Sequence, residues 1–430
     1  VSTHDPGSDG RAAPAATTAT TAAAQATEAA ARRAYGRLVS WLAWQWRDIA
    51  AAEDALGDAL LSALTTWPHD GVPASPEGWL LTAARRNLLK AARHRRVTED
   101  PAVTALLPDE HTPAAERPAI PDARLRLMFV CAHPAIEASV RSALMLQTVL
   151  GLEAARIARA WLVAPETMTK RLVRAKAKIK ATGLRFEEPE PRELPQRLDA
   201  VLEAIYGACT LDWNDDAPAA AGESLAGEAL YLADLTAALL PEEPEALGLL
   251  ALLELDASRA GARLDAQGCL VPLHEQDTAA WDGALIARAA AHLHAAARLG
   301  RPGAYQLEAA IQMAHASRRA TGRTPWPDIR ALYERLLALR PGVGAQIGHA
   351  LATAYADDDA AAGLALLQAV DPVRRASHQP WWAAQAHLLE RAGSRDRALE
   401  AYEQALALSR STVLRNTLSR RQQALAGRTH

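Results

Sequence analysis

Residues 151–180, GLEAARIARAWLVAPETMTKRLVRAKAKIK, constrain the fold more than any other stretch of this chain. The periodicity predicts two helices joined by a tight turn. In the second, Met168, Leu172, Ala175 and Ile179 recur at helical spacing and form an apolar seam. Lys170, Arg174 and Lys178 form a cationic stripe at intervals of four, with Arg171 and Lys176 beside it. Thr167 and Thr169 fall near the helix start, where a recognition helix points its reading residues at base edges. Ile157 and Ala158 on the preceding helix, with Trp161 and Val163 at the turn, supply the packing between the two. This is the layout of a DNA-reading helix-turn-helix. The plainer alternative is an amphipathic helix with a solvated basic face.

Alanine and leucine dominate and aromatics make up only 5% of the chain, so an all-α fold is expected. At 430 residues, two or three domains are expected. The net charge of −3 hides an asymmetry: 24 Lys and Arg against 18 Asp and Glu over 1–185, then 23 against 32 over 186–430. A basic front half and an acidic back half imply that only the front meets nucleic acid. Cys131, Cys209 and Cys269 are too scattered for a disulfide framework or a zinc site, which fits a reducing cytoplasm. No uninterrupted apolar run reaches membrane-spanning length, and the beginning of the chain lacks the order of a signal peptide, so a cytoplasmic location without membrane contact is expected.

Residues 1–27 read as a disordered Ala/Thr-rich tail. Residues 28–64 read as two helices, the first with Leu38, Trp41, Leu42 and Trp44 on its apolar side, the second with Ala52, Leu56, Ala59, Leu60 and Ala63. A loop, TTWPHDGVPASPEG, precedes a helix from about Trp79 to Arg96. That helix carries Arg85, Arg86, Lys90, Arg93, Arg95 and Arg96 and no carboxylate, which suits contact with phosphates. Residues 97–123 read as an acidic, Pro-rich linker that holds two basic helical modules, 28–96 and 124–185, apart. From 186 to 430 the chain reads helix after helix. Near the end, Ala386, Leu389, Gly393, Ala398, Tyr402 and Ala405 carry the small and large residues of a tetratricopeptide unit.

With these parts in order, the front half resembles an extracytoplasmic-function sigma factor, the subunit that brings bacterial RNA polymerase to promoters. DIAAAEDALGDAL (48–60) resembles the acidic helix of the family's second conserved region. The resemblance implies that Asp48, Glu53, Asp54 and Asp58 dock on the clamp helices of the polymerase's largest subunit. WLLTAARRN (79–87) resembles the signature leading into promoter melting and minus-ten recognition, with Arg86 where the family has Asn and Asn87 displaced by one. The opening helix-turn-helix resembles the fourth region, which reads the minus-thirty-five element and meets the polymerase flap. LRLMFVCAHPAI (125–136), ALLPEEPEALGLLALLEL (238–255), HEQDTAAWDGALI (274–286) and GRPGAYQLEAAI (300–311) resemble a subgroup with a long tetratricopeptide-like extension. In that subgroup the extension regulates the sigma modules in cis, so an intramolecular contact between the two is expected.

The resemblance thus implies a non-enzymatic initiation factor with no cofactor. Its DNA contacts would be Arg85, Arg86, Asn87, Lys90, Arg93, Arg95 and Arg96 on one helix, and Thr167, Thr169, Lys170, Arg171, Arg174 and Lys178 on the other. The runner-up is a helix-turn-helix regulator with a tetratricopeptide-like sensor domain; a third reading is an interaction scaffold. PGVGAQIG (341–348) reads as an inter-helix turn rather than a phosphate loop. Asp212, Asn214, Asp215 and Asp216, and likewise Asp357, Asp358 and Asp359, read as loop and capping groups rather than metal ligands. Around His274, a helix start at Asp277 with Trp281 packed inward is weighed against a polar contact surface.

Overall fold

A computed structural model describes residues 13–98, 120–161, 163–181, 188–213 and 224–427. Among these every regular element is helical, and the one extended pairing is an isolated bridge between Leu264 and Leu270. The fold is all-α, as an Ala/Leu-rich chain with few aromatics requires. It divides into two units, residues 1–208 and 209–430.

The first unit begins with a helix, α1 (Ala13–Trp46), that runs back through most of the segment expected to be a disordered tail. Ala23 and Thr27 are buried, and the Thr27 hydroxyl donates to the Ala23 carbonyl at 2.8 Å. The physical reason is local: an alanine run has the highest helix propensity and packs closely once a partner surface exists. Next come α2 (Ile49–Asp70) and α3 (Pro76–Thr98). Asp48 caps α2, accepting from the Ala51 N–H at 3.0 Å. The helix then continues through Pro68, shortening the loop expected at 65–78. Pro68 stands in the last turn, so only one hydrogen bond is lost. Burial of Trp67 offsets it: its ring meets Trp79 edge-on at 5.5 Å.

After the segment 99–119, which lies outside the described residues, come α4 (Ala123–Cys131), α5 (Ala138–Thr148), α6 (Ala154–Ala160) and α7 (Pro165–Ala181). A 3-10 turn then leads into α8 (Leu194–Trp213). The linker's end is anchored: Ile120 is fully buried and its carbonyl accepts from Arg126 at 2.8 Å. The start of α8 also belongs to this unit. Arg197 is buried and donates to the Phe129 carbonyl at 3.2 Å, and Ser142 donates to Glu203 at 2.8 Å. The division at 208 rather than 185 follows from these contacts.

The two basic modules are not held apart. Helix α1 packs on α2 and α3 of the first module and on α4 and α5 of the second. Arg126 of α4 lies over the Trp44 ring at 4.6 Å. At Gly36 the helix presses so close to the Val149 carbonyl that a Cβ would stand 1.8 Å from its oxygen.

The second unit comprises α9 (Leu225–Leu239), α10 (Pro244–Ser258), α11 (Gly283–Arg298), α12 (Ala304–Ala316), α13 (Arg318–Thr321) and α14 (Trp326–Leu339). It continues with α15 (Val343–Ala356), α16 (Ala360–Gln368), α17 (Pro372–Ala376), α18 (Gln379–Arg391), α19 (Arg395–Leu408) and α20 (Thr412–Ala426). Helix α10 is apolar on nearly every side and buries Leu249, Leu250, Leu252, Leu253 and Leu255, so it is central to its end of the unit. Its Glu245 caps α12 across the gap, accepting from the N–H groups of Tyr305 and Gln306 at 2.9 and 3.1 Å. Helices α18 and α19 form the antiparallel pair over which a tetratricopeptide unit is expected. Ala386, Leu389, Ala398, Tyr402 and Ala405 are all buried, and Gly393 turns between the helices at φ 72°.

Gly36→Ala ought to help an isolated helix by roughly 0.5–1 kcal/mol. Here the added methyl collides with backbone, so we expect a net loss of about 1–3 kcal/mol in urea denaturation. A stabilised variant would contradict the docking of α1 on the second module.

Candidate functional site

Helix α7 sorts its side chains by face. Met168, Leu172, Ala175 and Ile179 are buried, as are Ile157 and Ala158 on α6, so the helix-turn-helix packs through the seam its periodicity predicts. Thr167, Thr169, Lys170, Arg171, Arg174 and Lys178 are exposed on the other side. The Thr169 hydroxyl is turned back onto the Pro165 carbonyl at 2.9 Å.

Helix α3 docks through Leu80, Ala84 and Leu88 and exposes Arg85, Arg86, Lys90 and Arg93. The side chains of Arg95 and Arg96 lie outside the described residues. Asn87 departs from its expected role as a DNA contact. It is half-buried, and its amide donates to the Ala55 carbonyl of α2 at 3.2 Å, so it ties α3 to α2. Trp41, on the apolar side that the spacing predicts, is 38% exposed, with the Arg85 guanidinium 5.4 Å from its ring centre.

The carboxylates of α2 divide into two groups. Asp54 and Asp58 are exposed and, with Glu53, Leu60, Leu61 and Leu64, line a groove of ≈ 750 Å³. Leu61 is 64% exposed, so the groove carries apolar surface beside its charge. Asp48 is committed to its cap. Glu53 is committed to α7: its carboxylate pairs with the Lys176 ammonium at 2.5 Å, and both side chains are 15% exposed. Cys131 is buried in the field of this pair, and burial pushes its thiol up to about 12. Burial, with the charges of Glu53 and Asp54, also raises the Tyr35 hydroxyl far above its usual range. Residues expected on two separate binding surfaces are therefore joined by one ion pair.

In the second unit, a cluster forms that no local pattern announces. Tyr355 of α15 stacks on Trp326 of α14, centroids 4.4 Å apart and planes 11° from parallel. Its hydroxyl lies 3.1 Å from His274 Nε2 and 2.8 Å from His387 Nε2. His315 meets Trp326 edge-on at 5.3 Å. The Arg391 guanidinium stands 4.3 Å from the Tyr355 ring centre. The loop bearing His274 is held from three sides. Arg318 donates to the Leu273 and Gln276 carbonyls at 3.1 and 2.6 Å, Arg421 pairs with Glu275 at 3.1 Å, and Thr417 accepts from the Leu270 N–H at 2.8 Å. Trp281 is packed inward and donates to Gln276, while Asp277 and Asp282 cap the helical turns on either side of it.

Among the described residues, no three imidazole, thiol or carboxylate side chains converge on one point as a metal-binding group. Asp357 and Asp358 pair with Arg330 and Arg391, and Asp359 caps α16. Residues 214–216 and the Asp212 side chain lie outside the described residues. Gly342 begins α15, so PGVGAQIG is an inter-helix turn. No helix among the described residues is long and apolar enough to cross a membrane.

Over 373 residues the chain is 36% identical to an uncharacterized protein of Rhizobium meliloti (strain 1021), covering 85% of this chain and 87% of that one. At that similarity the chain belongs to the same family as the rhizobial protein. Residues 197–297, from α8 through α11, match a family described as a family of unknown function, DUF6596. No solved structure matches.

Burial, followed by neighbouring positive charge, holds His315 down at about 3 and His387 at about 4, and burial lowers His274 against the opposing pull of Glu275. The unfolded chain therefore takes up protons first as pH falls through about 6.5. The stability these histidines contribute is complete above that pH and is lost progressively toward about 4. At about 1.4 kcal/mol per pKa unit the loss amounts to several kcal/mol. Denaturant melts followed from pH about 7.5 to about 4.5 should show it, and His387→Phe should flatten the dependence. An unchanged midpoint over that range would refute this account.

Proposed function

We propose that the chain is an alternative sigma factor, directing RNA polymerase to promoters under the control of its own C-terminal helical unit. The observation that carries this is the two-faced helix α7. Its apolar seam is buried against α5 and α6 while Thr167, Lys170, Arg171, Arg174 and Lys178 stand exposed just past a short turn. A recognition helix needs this division between a rigid seat and a cationic reading edge. The basic outer face of α3 supports contact with the minus-ten region, where cations and a nearby aromatic ring favour single-stranded DNA. The groove beside Asp54 and Asp58, with exposed Leu61 and Leu64, supports a seat for a basic amphipathic helix of the polymerase.

On this reading the docked modules are a resting form. Promoter elements about 25 base pairs apart stand about 85 Å from each other at 3.4 Å per pair. The two docked modules share α1, whose 34 residues span only about 50 Å at about 1.5 Å per residue. Engaging both elements therefore requires α1 and the Lys176–Glu53 pair to release the second module. Lys176→Ala removes the pair without touching the reading edge.

Run-off transcription with core polymerase is the direct test. Arg171→Ala should relax base preference at one position, at a cost of about 1–3 kcal/mol. Lys178→Ala should weaken all promoters alike and flatten the salt dependence. Lys176→Ala should raise promoter binding in the absence of core enzyme. If the chain fails to retain core polymerase in a pull-down yet binds duplex DNA, the reading gives way to a helix-turn-helix regulator with a helical sensor unit.

Truncation at the end of α8 tests control in cis. A cut near 190 would also remove Arg197 and Glu203 from the first unit's core and unfold what it is meant to release. Altered run-off activity, in either direction, is expected from the longer fragment. Identical activity would dismiss cis regulation.

A further inference from the structure

The convergence of His274, Tyr355 and His387 is more specific than packing requires. Three residues from a loop, α15 and α18, separated by 81 and 32 positions, bring two imidazole Nε2 atoms onto one phenol oxygen. A phenol owns one proton, so as a plain hydrogen-bonded relay it donates to only one imidazole. The other imidazole must then carry its own proton on Nε2. A cation in place of those protons satisfies all three atoms alike. Around a tetrahedral ion with N and O ligands at about 2.0–2.2 Å, adjacent donors stand about 3.3 Å apart. The observed 3.1 and 2.8 Å need to spread by only a few tenths of an ångström.

We propose that His274, Tyr355 and His387 bind one divalent transition-metal ion of the zinc type, through the two Nε2 atoms and the Tyr355 oxygen. Binding replaces the phenol proton: the O–H bond breaks, the metal–oxygen bond forms, and the proton leaves to solvent. The imidazole that held its proton on Nε2 shifts it to Nδ1. The mixed nitrogen and oxygen donor set suits zinc and, more tightly, copper(II).

The surroundings fit this chemistry. The Glu275 carboxylate lies 3.4 Å from His274 Nε2, at the rim, where it also holds Arg421. His274 is 29% exposed, which leaves a path for the ion and room for a water in the fourth position. Of the guanidinium groups nearby, Arg391 pairs with Asp358 at 2.8 Å and also hydrogen-bonds the Tyr355 side chain, Arg421 pairs with Glu275, and Arg318 donates to two carbonyls.

The test uses the full, untagged chain, stripped by chelator and titrated with zinc chloride in calorimetry at about pH 7.5. One ion per chain is expected, with a buffer-dependent enthalpy that reports about one released proton. His274→Gln and His387→Gln should each abolish stoichiometric binding. Tyr355→Phe keeps the ring stack on Trp326 but should weaken binding at least tenfold and remove the proton release. Should these variants fold poorly by circular dichroism, copper(II) bound to the unmodified chain should show hyperfine splitting from two imidazole nitrogens. No saturable binding, binding that survives both histidine changes, or Tyr355→Phe binding as well as the parent would each overturn the proposal. Because no promoter or polymerase enters the experiment, its outcome is independent of the sigma-factor reading.

Discussion

Helix α1 is the contact on which the first unit depends. It packs on both α2–α3 and α4–α5, and it does so largely through small residues. Ala30, Ala34, Val39, Leu42 and Ala43 are almost fully buried, and Gly36 lets the backbone of the second module come within touching distance. Close packing of this kind is stiff toward change: a single added methyl has no void to enter. A chain built from alanine stripes gains less per side chain than a leucine core would. It compensates with short interaxial distances and many contacts per turn.

Charge is then laid over that frame in two ways. The outward cations of α3 and α7 are exposed, where they retain long-range attraction for a polyanion. Glu53 and Lys176, by contrast, are drawn inward and neutralise each other where water is scarce. A buried pair of this kind is a poor source of net stability but a sharp register device, because either partner alone is costly. It records which face of α7 meets α2. It also makes the exposed cationic edge and the acidic groove two sides of one assembly rather than two independent surfaces.

Periodicity explains why some of this was legible in advance. Met168, Leu172, Ala175 and Ile179 share a face of any α-helix, so their burial follows from spacing alone. The cationic side of α3 follows likewise, as do the caps at Asp277 and Asp359, whose side chains accept backbone N–H groups. Local rules misled where tertiary contact overruled them. Residues 13–27 read as a tail because they hold little to bury, yet alanine needs only a neighbouring surface to stay helical. Residues 65–78 read as a loop, yet α2 runs on to Asp70, its last turn tolerating Pro68 where Trp67 is anchored. Asn87 belonged to a DNA-contact motif on paper, but it faces α2.

The order of the amino acids by itself determined an all-α chain, its seams, its caps and the segregation of positive charge, because each is set within a turn or two of helix. Only the tertiary structure decided which helices meet. The Lys176–Glu53 pair spans 123 positions, and the His274–Tyr355–His387 convergence joins a loop to two later helices. Neither has a local signature. Both exist because amphipathic helices, free to pack in many pairings, settle on the one that satisfies their buried polar atoms together with their apolar stripes.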